Sequence, residues 1–186
     1  MLIKIRHHES NDVLFTYEPA HGLDGLSGDR LLGYAVAAAV AAKIDLSMAD
    51  LSGADVTALD LSGADISGAY LRDADLSEAN LAKALLPPGV PIVPDIDKAI
   101  LAEIEAGGEL RMMDWHYCET AHCRAGWAIH LAGEAGSRLE KEIGPCAAGA
   151  LIYAASRPDK PVPDFYAPDD EALEDLRQCA NATPGG

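Results

Sequence analysis

Cysteine, histidine and tryptophan are concentrated in one stretch, residues 115–130, which holds both tryptophans, three of the six histidines and two of the four cysteines. Thiolates and imidazoles are preferred zinc ligands, so Cys118, His122 and Cys123 are the candidates there. Their spacing is unfavourable, because His122 and Cys123 are adjacent and would diverge on a helix, and the stretch contains no C-x-x-C pair. We therefore predict no metal ion and no cofactor.

Nucleophilic catalysis is the second chemistry that this stretch could support, with a thiolate of Cys118 or Cys123 and a neighbouring histidine as base. However, Cys123, Trp127 and His130 fall on one face if the segment is helical, which is typical of a packed core stripe with a polar tip. We therefore predict that the stretch is structural and that the protein is not an enzyme. A metal or thiol site around residues 115–130 remains the alternative.

Aspartates form the other set of regularly spaced functional groups. They recur at intervals of five or ten residues, and Asn80 continues their series. The aspartates are Asp45, Asp50, Asp55, Asp60, Asp65 and Asp75. Carboxylates held at a fixed spacing can present negative charge to a basic surface of another protein. These six residues are the candidate partner-binding site.

The overall charge agrees with an acidic binding surface. The chain of 186 residues has a formal net charge of −16, which opposes direct binding to nucleic acid. Residues 44–86 contain eight acidic and two basic residues, a net charge of −6. Duplex DNA carries a similar charge, roughly six phosphates, over about 10 Å of its length.

The aspartates belong to a longer repeat with a period of five residues. Large apolar residues recur at every fifth position from Leu46 to Leu86. A second series, mostly alanine, stands two positions before each of them, from Ile44 to Ala84. Neither the 3.6-residue period of a helix nor the 2.0-residue period of a strand produces this pattern. The chain must therefore turn a corner every five residues.

The repeat resembles the pentapeptide-repeat family, whose units read A-[DN]-L-x-x and appear here as Ala49-Asp50-Leu51-Ser52-Gly53. The resemblance implies that residues 44–86 form about two coils of a right-handed quadrilateral β-helix, with four units in each coil. It also implies that the leucine and alanine positions point inward and that the aspartates stack outward in columns about 4.8 Å apart.

Solenoids of this kind need caps at both ends, and the flanking sequence predicts them. On the N-terminal side we expect a β-hairpin of residues 2–6 and 13–17, followed by a capping helix over residues 29–43. On the C-terminal side we expect four helices: 95–105 capped by Asp95, about 121–131, 146–156 after Pro145, and one capped by Asp169 or Asp170.

The predicted organisation is a mixed fold. It comprises an N-terminal hairpin with a capping helix (1–43), the β-helix (44–86), a linker (87–94), an α-helical domain (95–182) and a disordered tail (183–186). No signal peptide is evident, and the longest apolar run is too short to span a bilayer. We expect a protein of the bacterial host cytoplasm.

A second resemblance concerns the helical region. Residues 115–133 fit the pattern W-H-x-C-x-T-x-H-C-R-A-G-W-x-x-x-L-A-G, which is similar to uncharacterised bacteriophage and prophage proteins and implies no activity. Together the two resemblances imply an acidic, phage-type accessory protein that binds a host protein as a DNA mimic. DNA gyrase or a DNA-directed defence complex would be the target. The alternative is an assembly module in which the solenoid is a rigid spacer and the helical unit mediates self-association, for example as a homodimer.

Overall fold

A computed structural model describes residues 2–23, 25–113, 116–118 (backbone) and 121–182. The predicted hairpin is present, because strands β1 (Ile3–His7) and β2 (Val13–Tyr17) pair in antiparallel fashion. Helix α1 (Gly28–Ala41) follows, and the Ser27 side chain caps it by accepting a hydrogen bond from the Arg30 N–H. The short strand β3 (Ala49–Asp50) then pairs with β1, so the hairpin continues into the repeat.

The repeat forms a β-helix-like coil. Parallel bridges join residues that are 20 positions apart, so one coil consists of four five-residue units: Asp50 with Tyr70, Asp55 with Asp75, Asp60 with Asn80, and Asp65 with Leu85. Backbone hydrogen bonds of 2.8 to 3.0 Å flank each bridge, as between the Leu51 N–H and the Tyr70 carbonyl. Residues 44–86 therefore make about two coils, as predicted.

The interior of the coil is apolar, as the five-residue period predicts. Leu51, Leu61, Leu71 and Leu81 are each no more than 4% exposed. Alanines at the second inward position, such as Ala54 and Ala74, are buried as well. Removal of these side chains from water is the main source of stability in this narrow core.

Each unit turns its corner with the geometry of a type II turn. The carbonyl of the large apolar residue accepts the N–H three residues later, as from Ala64 to Leu61 at 3.1 Å. The third residue of each turn has a positive φ, for which glycine is the favoured residue. Gly53, Gly63 and Gly68 meet that requirement, whereas Ala58 adopts a φ of 57°.

The C-terminal part is mainly helical but contains a small sheet. Its elements are α2 (Ile96–Glu105), β4 (Glu109–Leu110), β5 (His116–Cys118), β6 (Ala121–His122), α3 (Arg124–Leu131), α4 (Gly133–Ile143), α5 (Pro145–Ser156) and α6 (Asp169–Asn181). Strand β4 runs parallel to β6, and β5 pairs with the other edge of β6 in antiparallel fashion. The sequence pattern does not predict this sheet.

Two details of the predicted helices are wrong. The helix expected from about residue 121 begins at Arg124, because residues 121 and 122 form β6 and the Cys123 side chain caps α3 by accepting the Gly126 N–H. Helix α4 was not predicted, since its glycines are typical of a loop. A Cβ on Gly136 would lie 2.4 Å from the Ile129 carbonyl oxygen, so this glycine permits close contact between α3 and α4.

The capping predictions are also wrong in mechanism. Asp95 precedes α2, but it adopts a left-handed conformation with a φ of 49° and makes no side-chain cap. Helix α6 follows Pro168, and Asp169 is its first helical residue. The predicted tail, residues 183–186, lies outside the described residues.

Both ends of the coil are covered by other elements. Helix α1 crosses the first coil so closely that a Cβ on Gly33 would lie 1.7 Å from the Asp55 carbonyl oxygen. At the other end, the Asp73 N–H bonds to the Ile143 carbonyl at 2.8 Å, and the Val162 N–H bonds to the Ala79 carbonyl at 3.0 Å. One continuous hydrophobic core extends through the hairpin, the coil and the helices.

Candidate functional site

The candidate partner-binding aspartates all make the same local contact. Each Oδ1 accepts the backbone N–H two residues later at 2.8 to 3.1 Å: Asp45 from Ser47, Asp50 from Ser52, Asp55 from Thr57, Asp60 from Ser62, Asp65 from Ser67 and Asp75 from Ser77. Asn80 makes the same contact with Ala82. These bonds are Asx turns, which fix the position of each carboxylate relative to the coil.

The six aspartates are distributed over the four sides of the coil. The bridges and the 20-residue coil period define side 1 (Asp45, Asp65, Leu85), side 2 (Asp50, Tyr70), side 3 (Asp55, Asp75) and side 4 (Asp60, Asn80). Successive units step around the coil, so side 1 lies between sides 2 and 4 and opposite side 3. No column contains more than two aspartates.

Side 3 is occupied by contacts within the molecule. Arg30 of α1 forms an ion pair with Asp55 at 3.0 Å. The Tyr166 hydroxyl donates to Oδ2 of Asp75, and the Cys146 thiol lies 3.3 Å from Oδ1 of the same residue. Asp55 and Asp75 therefore already have partners on the side of the coil that the rest of the chain covers.

The other four aspartates form what we call the acidic surface: Asp45, Asp50, Asp60 and Asp65. The first three are exposed and Asp65 is half-buried. Hydrogen bonds from Ser47 hold the pKa of Asp45 below its usual value, and hydrogen bonds from Ser62 and Asn80 do the same for the pKa of Asp60. The acidic surface extends over three neighbouring sides of the coil.

The cysteine and histidine stretch is built into the core where the structure describes it. Cys123 is 2% exposed, and burial raises the pKa of its thiol. The rings of His122, Trp127 and His130 contact one another with centroid distances of 4.7 to 5.5 Å. The Trp127 indole donates to the Glu109 carbonyl at 3.1 Å, which ties α3 to β4.

Several observations bear on the alternative of a metal or thiol site. The side chain of Cys118 lies outside the described residues, so only His122 and Cys123 of the three metal candidates can be placed. Among the described residues, no group of three histidines, cysteines or carboxylates could hold a metal ion. A second thiol, Cys146, has its pKa raised to about 12 by burial and by the Asp75 charge, so it is protonated at neutral pH.

The helical part contains an ion-pair network that the sequence pattern does not predict. Arg124 is 1% exposed and donates to Oδ1 of Asp97 and to the Tyr153 hydroxyl, both at 3.0 Å, and to Asp175. Arg157 donates to Oδ2 of Asp97 at 3.0 Å. The signal in the sequence is Arg124, which stands among mostly apolar residues between Cys123 and Leu131. If such a segment is buried, its arginine requires buried partners.

Comparison with known proteins identifies the repeat. Residues 49–86 match the model of the family described as Pentapeptide repeats, in eight copies. No curated protein and no solved structure showed significant similarity to the chain. The segment is thus a pentapeptide-repeat segment, whereas the resemblance of residues 115–133 to bacteriophage proteins stays a prediction.

In the part of the chain that the structure describes, no helix combines the length and the apolar character needed to cross a bilayer.

Proposed function

We propose that this protein is a non-enzymatic accessory protein that binds a basic surface of another protein through its acidic surface. The observation that carries this proposal is the fixed arrangement of Asp45, Asp50, Asp60 and Asp65, whose backbone hydrogen bonds hold them on three adjacent sides of a rigid coil. Pre-positioned charges lose little conformational entropy on binding. Electrostatic complementarity would increase the association rate with a basic partner.

A DNA-binding protein is the class of partner that fits this charge arrangement. The net charge of −6 over residues 44–86 is similar to that of a short piece of duplex, and DNA gyrase or a DNA-directed defence complex in the bacterial cytoplasm is the target that the family resemblance suggests. The coil alone spans only about three base pairs of length. Its partner contact would therefore include carboxylates of the helical part, which add to the net charge of −16.

The test compares two variants with the same change in net charge. The first replaces Asp45, Asp50, Asp60 and Asp65 with asparagine, which the coil accepts at Asn80. The control replaces four exposed acids elsewhere: Glu103, Glu105 and Glu134 with glutamine and Asp159 with asparagine. Both variants and the wild type are immobilised and exposed to bacterial lysate at 0.05, 0.15 and 0.5 M salt.

We expect wild type to retain a DNA-binding protein at low salt and to lose it at high salt, where the Debye length falls below about 8 Å. The control, which lacks four carboxylates of the helical part, should retain the same protein slightly less strongly. The acidic-surface variant should retain much less, and none of the three should bind free duplex DNA. Equal retention by all three proteins, or retention that does not depend on salt, would contradict the proposal.

Self-assembly is a second candidate function, and strand β2 favours it. Among the described residues, β2 pairs with β1 only and is an edge of its sheet, and the sequence Val13 to Tyr17 carries no charge. Uncharged edge strands are templates for pairing with another chain. Replacement of Thr16 by lysine should abolish a concentration-dependent dimer in sedimentation experiments if this candidate is correct, and a wild-type monomer at all concentrations would exclude it.

A further inference from the structure

Tyr70 occupies an exceptional place in the repeat. It stands at the outward position where six units carry aspartate, on side 2 and bridged to Asp50 through the backbone. Its side chain remains 39% exposed. The His8 ring stacks against it with a centroid distance of 6.2 Å and an interplanar angle of 28°, and His7 stacks on His8 in turn.

A groove of about 270 Å³ opens beside this ring. Its walls include Tyr70, His8, Pro87, Pro88, Leu139 and Glu142. Small-molecule sites commonly measure about 300 to 1,000 Å³, so this volume suits a single long side chain of a partner protein. The groove thus combines an aromatic ring with a carboxylate at the border of the acidic surface.

Arginine is the side chain whose chemistry matches these walls. Its guanidinium is planar, stacks on aromatic faces and forms forked hydrogen bonds to carboxylates, whereas the lysine ammonium is a strongly hydrated point charge. Tyrosine and arginine are also enriched among the residues that dominate binding energy at protein interfaces. A basic partner supplies such arginines, and the charge of the acidic surface draws them to side 2.

We propose that the groove beside Tyr70 receives an arginine side chain of the partner protein, with the guanidinium stacked on the Tyr70 ring and paired with Glu142. This inference rests on the proposed function, because it names a specific anchor within the same interaction. It adds a preference for arginine over lysine that uniform negative charge does not provide.

The test uses deca-arginine and deca-lysine peptides, which carry the same charge, and measures their dissociation constants by titration calorimetry. The protein variants are Tyr70→Phe, which retains the ring, and Tyr70→Asp, which restores the residue of the other units. The aspartate should fold as they do, since its Oδ1 can accept the Arg72 N–H. The variant with asparagine at all four positions of the acidic surface serves as a further control.

We expect wild type and Tyr70→Phe to bind deca-arginine roughly three- to tenfold more tightly than deca-lysine, as stacking of a guanidinium on a partly exposed ring allows. The Tyr70→Asp variant should lose this preference, although its net charge is more negative than that of wild type. The variant with four asparagines should bind both peptides more weakly than wild type does, and it should keep the preference for deca-arginine.

Three outcomes would overturn the inference in distinguishable ways. If Tyr70→Asp binds both peptides more tightly than wild type does and wild type shows no preference, the acidic surface acts by charge alone and the anchor is wrong. If neither peptide binds wild type at low salt, the proposed function fails together with the anchor. A decaproline peptide that binds wild type and competes with deca-arginine would assign the groove to proline-rich segments instead.

Discussion

At the scale of single residues, the third position of each turn carries a cost that depends on residue type. This position has a positive φ in every unit, and glycine fills it in only three of the turns that begin at Leu46 through Leu81. An L-residue in the left-handed conformation costs about 1 to 2 kcal/mol relative to glycine. The coil therefore tolerates a conformational penalty at the remaining corners because inward burial outweighs it.

Two substitutions at the third turn position, one that removes a glycine and one that introduces a glycine, should change the free energy of unfolding in opposite directions. Gly63→Ala should lower the free energy of unfolding by about 1 kcal/mol, and Ala58→Gly should raise it by up to about the same amount. An added Cβ at Gly63 meets no atom within 4 Å, so the backbone conformation is the only source of the effect. Urea denaturation measures both values, and an unchanged midpoint for Gly63→Ala would contradict the turn assignment.

The contribution of Arg124 to the free energy of unfolding should be large because this residue is buried. Its replacement by methionine would leave Asp97, which is 7% exposed, with Arg157 as its remaining ion-pair partner. We expect a loss of about 1 to 3 kcal/mol, because the change removes hydrogen bonds from the buried Tyr153 hydroxyl and from Asp97 while Arg157 still compensates the Asp97 charge. The matched control is Arg138→Met, because Arg138 is 72% exposed and contacts Glu134 at 3.8 Å, a pair worth at most about 0.5 kcal/mol. Equal destabilisation of the two variants would contradict a buried network.

At the scale of the coil, inward and outward positions should respond very differently to one substitution. Leu61 is 2% exposed inside the coil, whereas Leu85 is 59% exposed at the outward position that aspartate occupies in other units. Leu61→Asp places a charge in an apolar core and should unfold the coil. Leu85→Asp should leave the melting temperature within a few degrees of wild type. Circular dichroism melting distinguishes these results, and a native melt for Leu61→Asp would refute the β-helix.

The aspartate array should also make the coil sensitive to acid. Hydrogen bonds lower the pKa of Asp45 and Asp60, and at Asp55 the hydrogen bonds from Thr57 and the charge of Arg30 outweigh the effect of burial, which would raise the pKa. A lowered pKa in the folded state contributes stability that is present above the unfolded pKa of about 4 and is lost as pH falls through the folded value. Urea midpoints should therefore decrease between pH 5 and pH 2.

The asparagine variant of Asp45 and Asp60 provides the control for this pH dependence. Asparagine keeps the turn hydrogen bond, as at Asn80, but does not titrate in this range. The decrease in its urea midpoint should be smaller than that of wild type. An identical pH profile for the two proteins would show that these carboxylates do not link protonation to folding.

At the scale of the whole molecule, the continuous core predicts a single unfolding transition. The division at residues 87–94 predicted from the sequence would allow the helical part to unfold separately. Yet backbone hydrogen bonds join Asp73 to Ile143 and Ala79 to Val162, and one core extends across that division. Differential scanning calorimetry should give one peak with equal calorimetric and van't Hoff enthalpies. Two resolved peaks would show that the parts are independent domains.

The sequence by itself determined the coil. Its five-residue period fits neither a regular helix nor a regular strand. The apolar residues of each unit are buried by contacts with neighbouring units of the same repeat. The repeat sequence alone is therefore enough to predict the coil. The hairpin, α1 and α5 followed from equally local signals. Helix α4 did not, because its glycines serve the contact between α3 and α4 and look like loop residues in the sequence alone.

Only the tertiary structure decided which aspartates remain available to a partner. Asp55 and Asp75 occupy the same position of the repeat unit as Asp50 and Asp60, but each has a partner from a distant part of the chain. Arg30 lies 25 positions from Asp55, and Tyr166 lies 91 positions from Asp75. The buried network of Arg124 likewise depends on partners 27, 29 and 51 positions away. A repeat specifies its own coil because its contacts recur with the period, whereas contacts between unlike elements are set by how those elements pack.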